Sequence, residues 1–220
     1  MRVGLIGCLI AILLILVVVG MWFVGLRNSF VTLDENVNQS WAQVESQYQR
    51  RYDLIPNLVQ TVQGAANFEK STLEAVVSAR ARVGQVQIGG GPGGAAANAP
   101  TNPATMAQFE QAQAGLSNAL SRLLVVVERY PDLKANQNFL ELQSQLEGTE
   151  NRIAVERQRY NQSAQQYNTA IHKFPGIVVA NFSGFKAKTY FQVQTPAANQ
   201  APSVNFNFNT NTAPSTATQH

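Results

Sequence analysis

Residues 3–26 read VGLIGCLIAILLILVVVGMWFVGL and contain no charged side chain. As a helix this stretch would be about 36 Å long, which exceeds the roughly 30 Å hydrocarbon core of a bilayer. Arg2 and Arg27 flank it, and Trp22 and Phe23 lie near one end, where interfacial aromatic side chains are favoured. The stretch therefore predicts one membrane-spanning helix, and we assign residues 1–27 to a membrane anchor.

A cleavable signal peptide is the main alternative for this stretch. Its apolar region is usually about 7–15 residues long and ends in small residues, whereas this run is longer and ends in Met21-Trp22-Phe23. The sequence LIGC (residues 5–8) resembles a lipoprotein cleavage box, but only a few residues precede Cys8 and the apolar stretch follows it. We expect the anchor to be retained, with cleavage after Gly20 as the alternative.

The charge and cysteine content leave the compartment open but argue against nucleic-acid binding. Cys8 is the single cysteine and lies in the anchor, so the rest of the chain can form no internal disulfide. The net charge of +3 is modest, and basic residues alternate with glutamates along the helical stretches. Because no basic stripe or nucleic-acid motif is present, we expect no nucleic-acid partner.

Two uncharged segments divide the remainder. Residues 88–104 are rich in glycine, alanine and proline, and residues 194–220 are rich in asparagine, threonine, alanine and proline. Neither has enough apolar surface to offset its ordering entropy. We predict a flexible interhelical loop, a helical domain over residues 28–193, and a disordered tail in which VNFNFN (residues 204–209) alternates like a strand.

The chain between these segments has helical periodicity. Eleven-residue steps link Leu33, Val44 and Ile55, and also Val37, Tyr48 and Val59, which keeps one helix face apolar. We expect this helix to continue from the anchor and to kink or restart near residues 52–55, because Pro56 lacks an N–H. Asp53 would cap such a restart. The sequence STLE (residues 71–74) predicts a capping box before the next helix.

Two longer helices follow the glycine-rich loop. The third is predicted from about Thr105 to Arg129 and ends at Tyr130-Pro131. The fourth is predicted over residues 135–174 and carries the clearest pattern in the chain, an apolar seam at every seventh position. Its members are Phe139, Leu146, Ile153, Tyr160, Tyr167 and Phe174. The chain is therefore predicted to be all-α, with an N-terminal transmembrane helix followed by an elongated antiparallel bundle of long helices.

Several ordered segments resemble the signatures of the LemA family. They are RYDLIPNLV (51–59), ERYPDLKAN (128–136), NFLELQ (138–143), ENRI (150–153), YN (160–161), FP (174–175) and GF (184–185). The resemblance covers residues 1–193; the glycine-rich loop and the uncharged tail depart from it. It implies a bacterial single-pass membrane protein with long antiparallel helices, and one family member occurs among magnetosome membrane proteins. The family has no established reaction to carry over.

Residues that could carry chemistry are scarce. The only histidines are His172, near a predicted helix end, and His220, and no metal, phosphate-binding or nucleophile motif is present. We therefore predict no catalytic residue, no cofactor and no metal site. Glu147 and Glu150 lie one helical turn apart and could bind a metal, although a solvated helix face is the favoured interpretation.

The segment around Pro56 is the candidate contact surface. Arg50, Asp53 and Asn57 lie one turn apart on one side of the helix, with Arg51 beside them. The structural alternative is that Asp53 caps a restart and that Asn57 satisfies backbone groups freed by Pro56.

We therefore expect a membrane-tethered helical scaffold that contacts other proteins or its own copies. The alternatives are an accessory factor of a membrane enzyme such as a protease, and a membrane-remodelling or organelle-associated protein. Flanking charge gives little guidance on orientation. We expect residues 28–220 to lie outside the cytoplasmic membrane of a bacterium, with a cytoplasmic location as the alternative.

Overall fold

The computed structural model describes residues 2–64, 68–86 and 98–192, and every regular element in those ranges is a helix. The all-α prediction is confirmed. The helices are α1 (Arg2–Gln63), α2 (Lys70–Gln85), α3 (Pro103–Val127), α4 (Pro131–Lys134), α5 (Gln137–His172) and α6 (Gly176–Ser183).

The long helices form an elongated antiparallel bundle, as predicted. α1 leads away from its apolar N-terminal segment, and α5 returns alongside it. α2 and α3 form a second antiparallel pair that packs against the first. α6 brings the chain back to α1 beside the apolar segment, where Phe182 contacts Phe23.

α1 begins with a segment that is long and apolar enough to cross a membrane. Its most apolar 18-residue window, searched from Leu9 onward, has a mean hydropathy of 3.0 and no buried residue. The helix then continues without a break past residue 27, the predicted limit of the anchor. Val37, Val44, Tyr48, Ile55 and Val59 are all buried, so the eleven-residue pattern marks the face that packs.

The predicted restart at Pro56 is wrong, because α1 continues through this residue. Pro56 cannot donate to the carbonyl of Tyr52, but Arg80 of α2 donates to it through Nε at 3.3 Å. The Arg80 guanidinium also lies 3.8 Å from the centre of the Tyr52 ring. Asp53 caps nothing and accepts a hydrogen bond from Gln49 at 2.8 Å. Arg80, not Asn57, thus compensates for the missing backbone donor.

The capping box predicted at residues 71–74 is also wrong. The N-cap of α2 is Glu69, so Ser71 lies inside the helix. Ser71 donates to the carboxylate of Glu69 at 2.9 Å instead of capping a backbone N–H.

The heptad seam of α5 is buried at Phe139, Leu146, Ile153, Tyr160 and Tyr167. The last predicted member, Phe174, lies beyond α5 and is 85% exposed. A residue that precedes proline is disfavoured in the helical conformation, and Pro175 follows Phe174. The helix therefore ends at His172, whose Nδ1 lies 2.6 Å from the carbonyl oxygen of Asn168.

Buried apolar side chains form two clusters along the bundle. The near cluster lies beside the apolar segment of α1 and contains Phe30, Val37, Trp41, Val44, Tyr48, Ala99, Met106, Phe109, Ile153, Tyr160, Ala164, Tyr167, Ile171, Val179, Ala180 and Phe191. The far cluster contains Ile55, Leu58, Val59, Val62, Leu73, Val76, Ala79, Leu116, Ala119, Leu120, Leu123, Val127, Leu133, Phe139 and Leu146.

Part of the predicted loop 88–104 packs against the bundle. Ala99 and Pro100 are buried, and the Ala99 N–H donates to the side-chain oxygen of Asn38 at 3.0 Å. α3 begins at Pro103, capped by the Asn102 side chain. Residues 87–97 and the predicted tail, including its strand-like stretch, lie outside the described residues.

Candidate functional site: a buried arginine and an extended strap

A polar layer centred on Arg51 separates the two apolar clusters. Arg51 comes from the middle of α1 and is 1% exposed. Its guanidinium donates to the side chains of Gln113 and Glu150, and to Ser117 Oγ at 3.0 Å. Arg51 thus joins α1 to both α3 and α5 at the level where one cluster ends and the other begins.

A second ion pair lies beside this layer. Arg157 of α5 contacts the buried carboxylate of Glu110 on α3 at 3.3 Å. The two arginines and two glutamates border a cavity of about 200 Å³. That volume is sufficient for several water molecules, and Arg51 Nε has no acceptor among the described protein atoms. Since the four charges balance, the cluster favours a structural role over the binding of a charged ligand.

The sequence-predicted surface is only partly assembled. Arg50, Asp53 and Asn57 are exposed along α1, as expected from their spacing. Arg51 is not part of that surface, because its side chain lies in the buried layer. Whether the three exposed residues contact a partner stays a prediction.

The carboxylates weighed as metal ligands have other partners. Glu150 pairs with Arg51, and Glu147 accepts a hydrogen bond from Gln143 at 3.0 Å. Within the part of the chain that the structure describes, no three His, Cys, Asp or Glu side chains are grouped as metal ligands.

An extended segment, residues 185–192, follows α6 and lies along the bundle; we call it the strap. Gly184, with a φ of 75°, makes the turn that ends α6 and begins the strap. Asn168 of α5 exchanges two hydrogen bonds of 2.8 Å with the backbone N–H and carbonyl of Lys188. Asn161 does the same for Phe191, at 2.9 and 3.1 Å. Two side-chain amides therefore replace the partner strand that the strap lacks.

Two tyrosines add to this attachment. Tyr160 donates to the carbonyl of Thr189 at 2.8 Å, and Tyr167 donates to that of Lys186 at 3.1 Å. Burial raises the pKa of both phenols, that of Tyr167 to about 12, with Asp34 contributing to the latter. The hydroxyls thus stay protonated and able to donate.

Side chains of the strap also enter the near cluster. Phe191 stacks on Trp41 with ring centroids 5.8 Å apart, and Lys188, although buried, pairs with Asp34 at 2.8 Å. The strap therefore completes the core of the near half.

The strap contacts were missed in the sequence, although a signal was present. Tyr160-Asn161 and Tyr167-Asn168 repeat the same pair seven residues apart. Successive heptads place the asparagines one above the other on one helix face, beside the seam. Amide side chains repeated beside an apolar seam indicate that a chain segment with unpaired backbone N–H and carbonyl groups packs there.

Comparisons with known proteins match this chain to one family. The LemA family model matches residues 40–206. The magnetosome protein MamQ of Magnetospirillum gryphiswaldense is 32% identical over 175 residues, covering 74% of this chain and 64% of its own length. Magnetosome protein MamQ 1 of Paramagnetospirillum magneticum is 32% identical over 176 residues, covering 75% of this chain and 64% of its own length.

A more distant relative is Protein LemA of Metamycoplasma hominis, 21% identical over 152 residues, which are 69% of this chain and 62% of the relative. The chain thus spans less than two thirds of the length of these curated relatives. The family model covers most of the chain, and the chain belongs to the LemA family.

Proposed function

We propose that the chain is a membrane-tethered helical scaffold that binds a protein partner and has no catalytic activity of its own. One observation carries the proposal: the helix with the membrane-spanning composition is also the central helix of the bundle. Because no loop separates them, the bundle is held at a fixed angle and height relative to its anchor. Such an arrangement suits positioning a partner rather than turning over a substrate.

The exposed residues Arg50, Asp53 and Asn57 are the proposed contact surface. At 1.5 Å per residue, Asp53 lies about 40 Å along α1 from Arg27. The surface presents a cation, a carboxylate and an amide on a rigid helix, which favours a polar, hydrogen-bonding partner. A second copy of this chain is one such partner.

Photocrosslinking in membranes tests this proposal. A benzophenone amino acid at Asn57 should capture a discrete protein neighbour in cells. The matched control is the same probe at Arg152, an exposed residue on α5. Capture at Asn57 but not at Arg152 supports the surface. Equal capture at both, or capture of lipid alone, would contradict it.

The MamQ relatives favour a second candidate, association with an organelle membrane. MamQ is named as a magnetosome protein, and the similarity extends over about three quarters of this chain. The crosslinking experiment separates the alternatives, because a captured membrane enzyme would instead indicate an accessory factor. Localisation of the tagged full chain to internal membranes would favour the organelle role.

We also propose that the anchor is retained and that residues 28–220 lie outside the cytoplasmic membrane. The uncharged composition of the tail and the flanking charges support this orientation. In a Cys8→Ser background, Ser215→Cys should react with an impermeant maleimide on intact cells, after permeabilisation of any outer membrane. Labelling only after lysis would place the domain in the cytoplasm, and a mature protein that starts at Met21 would show cleavage.

A further inference from the structure

α6 and Phe174, in the turn that precedes it, expose apolar side chains. Val178 and Phe182, one turn apart on α6, are 60% and 84% exposed, and Phe174, which precedes Pro175 outside the helix, is 85% exposed. The opposite face is apolar too, since Val179 and Ala180 are buried in the near cluster. The polar side chains of α6 are the exposed Asn181 and the half-buried Ser183. A helix with apolar side chains on opposite faces normally has an apolar environment on both.

α6 is attached to α1 at the end of the membrane-spanning stretch. The ring centroids of Phe182 and Phe23 are 5.8 Å apart, and those of Phe185 and Phe30 are 5.7 Å apart. Gly176 approaches Phe30 so closely that a Cβ there would lie 2.9 Å from the ring and 2.5 Å from the Ala170 carbonyl oxygen. The absence of a side chain at Gly176 thus permits this packing.

This attachment fixes the depth of the exposed face. Phe23 lies four residues before Arg27, the first charged residue after the apolar run, or about 6 Å along the helix. Phe182 therefore lies level with a residue of the spanning segment, where the hydrocarbon meets the headgroups.

The charges around α6 match an anionic lipid surface. Residues 171–192 include Lys173, Lys186 and Lys188 but no aspartate or glutamate. Lys173 and Lys186 are exposed, whereas Lys188 pairs with Asp34. Exposed aromatic side chains flanked by lysines are typical of elements that lie in the membrane interface.

We propose that Phe174, Val178 and Phe182 insert into the interface of the bilayer leaflet from which α1 emerges. The domain then contacts the membrane at two points, the spanning helix and α6. The bilayer is the occupant of this face because the contact with Phe23 places α6 against the spanning segment itself.

Depth-dependent fluorescence quenching tests the inference. The full chain, with Cys8→Ser and Val178→Cys, is labelled with an environment-sensitive fluorophore and placed in phosphatidylethanolamine and phosphatidylglycerol vesicles. The matched control is Val125→Cys, an exposed valine on α3 at the far end of the bundle. A probe at Phe182→Cys provides a second position should Val178→Cys not fold.

The label at Val178 should lose most of its fluorescence to phospholipids that carry a nitroxide near the headgroup, and little to aqueous iodide. The label at Val125 should show the reverse. Iodide quenching as strong at Val178 as at Val125 would overturn the inference. Shielding of Val178 from both quenchers would also overturn it, because a protein, such as a second copy of the chain, would then cover the face.

Discussion

The near and far clusters hold the same bundle together with different side chains. The near cluster buries seven aromatic residues: Phe30, Trp41, Tyr48, Phe109, Tyr160, Tyr167 and Phe191. Among the described residues, the far cluster fully buries one, Phe139, and otherwise consists of aliphatic side chains. The difference in side-chain type reflects a difference in backbone: the far half packs helices only, whereas the near half also packs the non-helical strap.

The far half packs helix against helix, so its backbone forms hydrogen bonds mainly within the helices, and aliphatic side chains fill the space between them. The near half must also hold the strap, which has no regular hydrogen bonds of its own. Tyr160 and Tyr167 suit this task because each buries an apolar ring and still presents a hydroxyl to the strap. Buried tyrosines in the core of a helical bundle therefore indicate where a non-helical segment packs against it.

The largest expected effect is that of Trp41→Ala. Trp41 is fully buried and contacts Phe109, Tyr160 and Phe191, so its loss should cost about 3–5 kcal/mol of unfolding free energy. The strap amides should exchange with solvent faster than the rest of the bundle in hydrogen-exchange measurements. Leu58→Ala in the far cluster should destabilise the protein without selective loss of strap protection. If the strap amides exchanged at the same rate in both variants, the near cluster would have no special role in holding the strap.

Asn168→Ala should have the next largest effect and lower the unfolding free energy by about 2–3 kcal/mol, because it leaves the Lys188 N–H and carbonyl buried without partners. Thermal unfolding of the full chain in detergent measures this. Gln165→Ala, at an exposed position of the same helix, should change stability by less than about 0.5 kcal/mol. Similar losses for the two variants would show that the strap does not depend on the amide.

Arg51→Met tests the layer between the clusters. It should cost about 1–2 kcal/mol, since the lost hydrogen bonds are offset in part by removal of a buried charge. Glu150→Gln should cost less than about 1 kcal/mol, because the Glu150 side chain is 42% exposed. A more stable Arg51→Met protein, measured by chemical denaturation, would indicate that the arginine serves function rather than the fold.

The smallest effect, about 1 kcal/mol, is expected for Arg80→Ala in the far half, which removes the donor to the Tyr52 carbonyl and the contact with its ring. Arg82→Ala, two residues away and exposed, is the control and should be nearly neutral in thermal unfolding. Matching melting temperatures for the two variants would mean that Pro56 needs no compensation from α2.

Periodic features could be predicted from the sequence, whereas features that depend on a distant partner could not. The apolar run and the heptad seam through Tyr167 could be predicted because each is a repeated pattern within one helix that reflects its surroundings. The continuity at Pro56 depends on Arg80, which lies on another helix and has no local signal.

The candidate site divides in the same way. Spacing alone placed Arg50, Asp53 and Asn57 on an exposed face. Arg51 is their neighbour in sequence, but its burial is decided by Gln113 on α3 and Glu150 on α5. The residues next to Arg51 in the sequence give no indication of these partners on other helices.

Because α1 is continuous, a change in the tilt of its apolar segment moves the far end of the bundle. The helix extends from the end of its apolar run at Leu26 to Gln63, an arm of about 55 Å. Transmembrane helices commonly tilt with the thickness of the surrounding bilayer, and a change of about 10° would sweep the far end of the arm through about 10 Å. A change in membrane thickness or curvature would thus be amplified into a displacement of the distal tip.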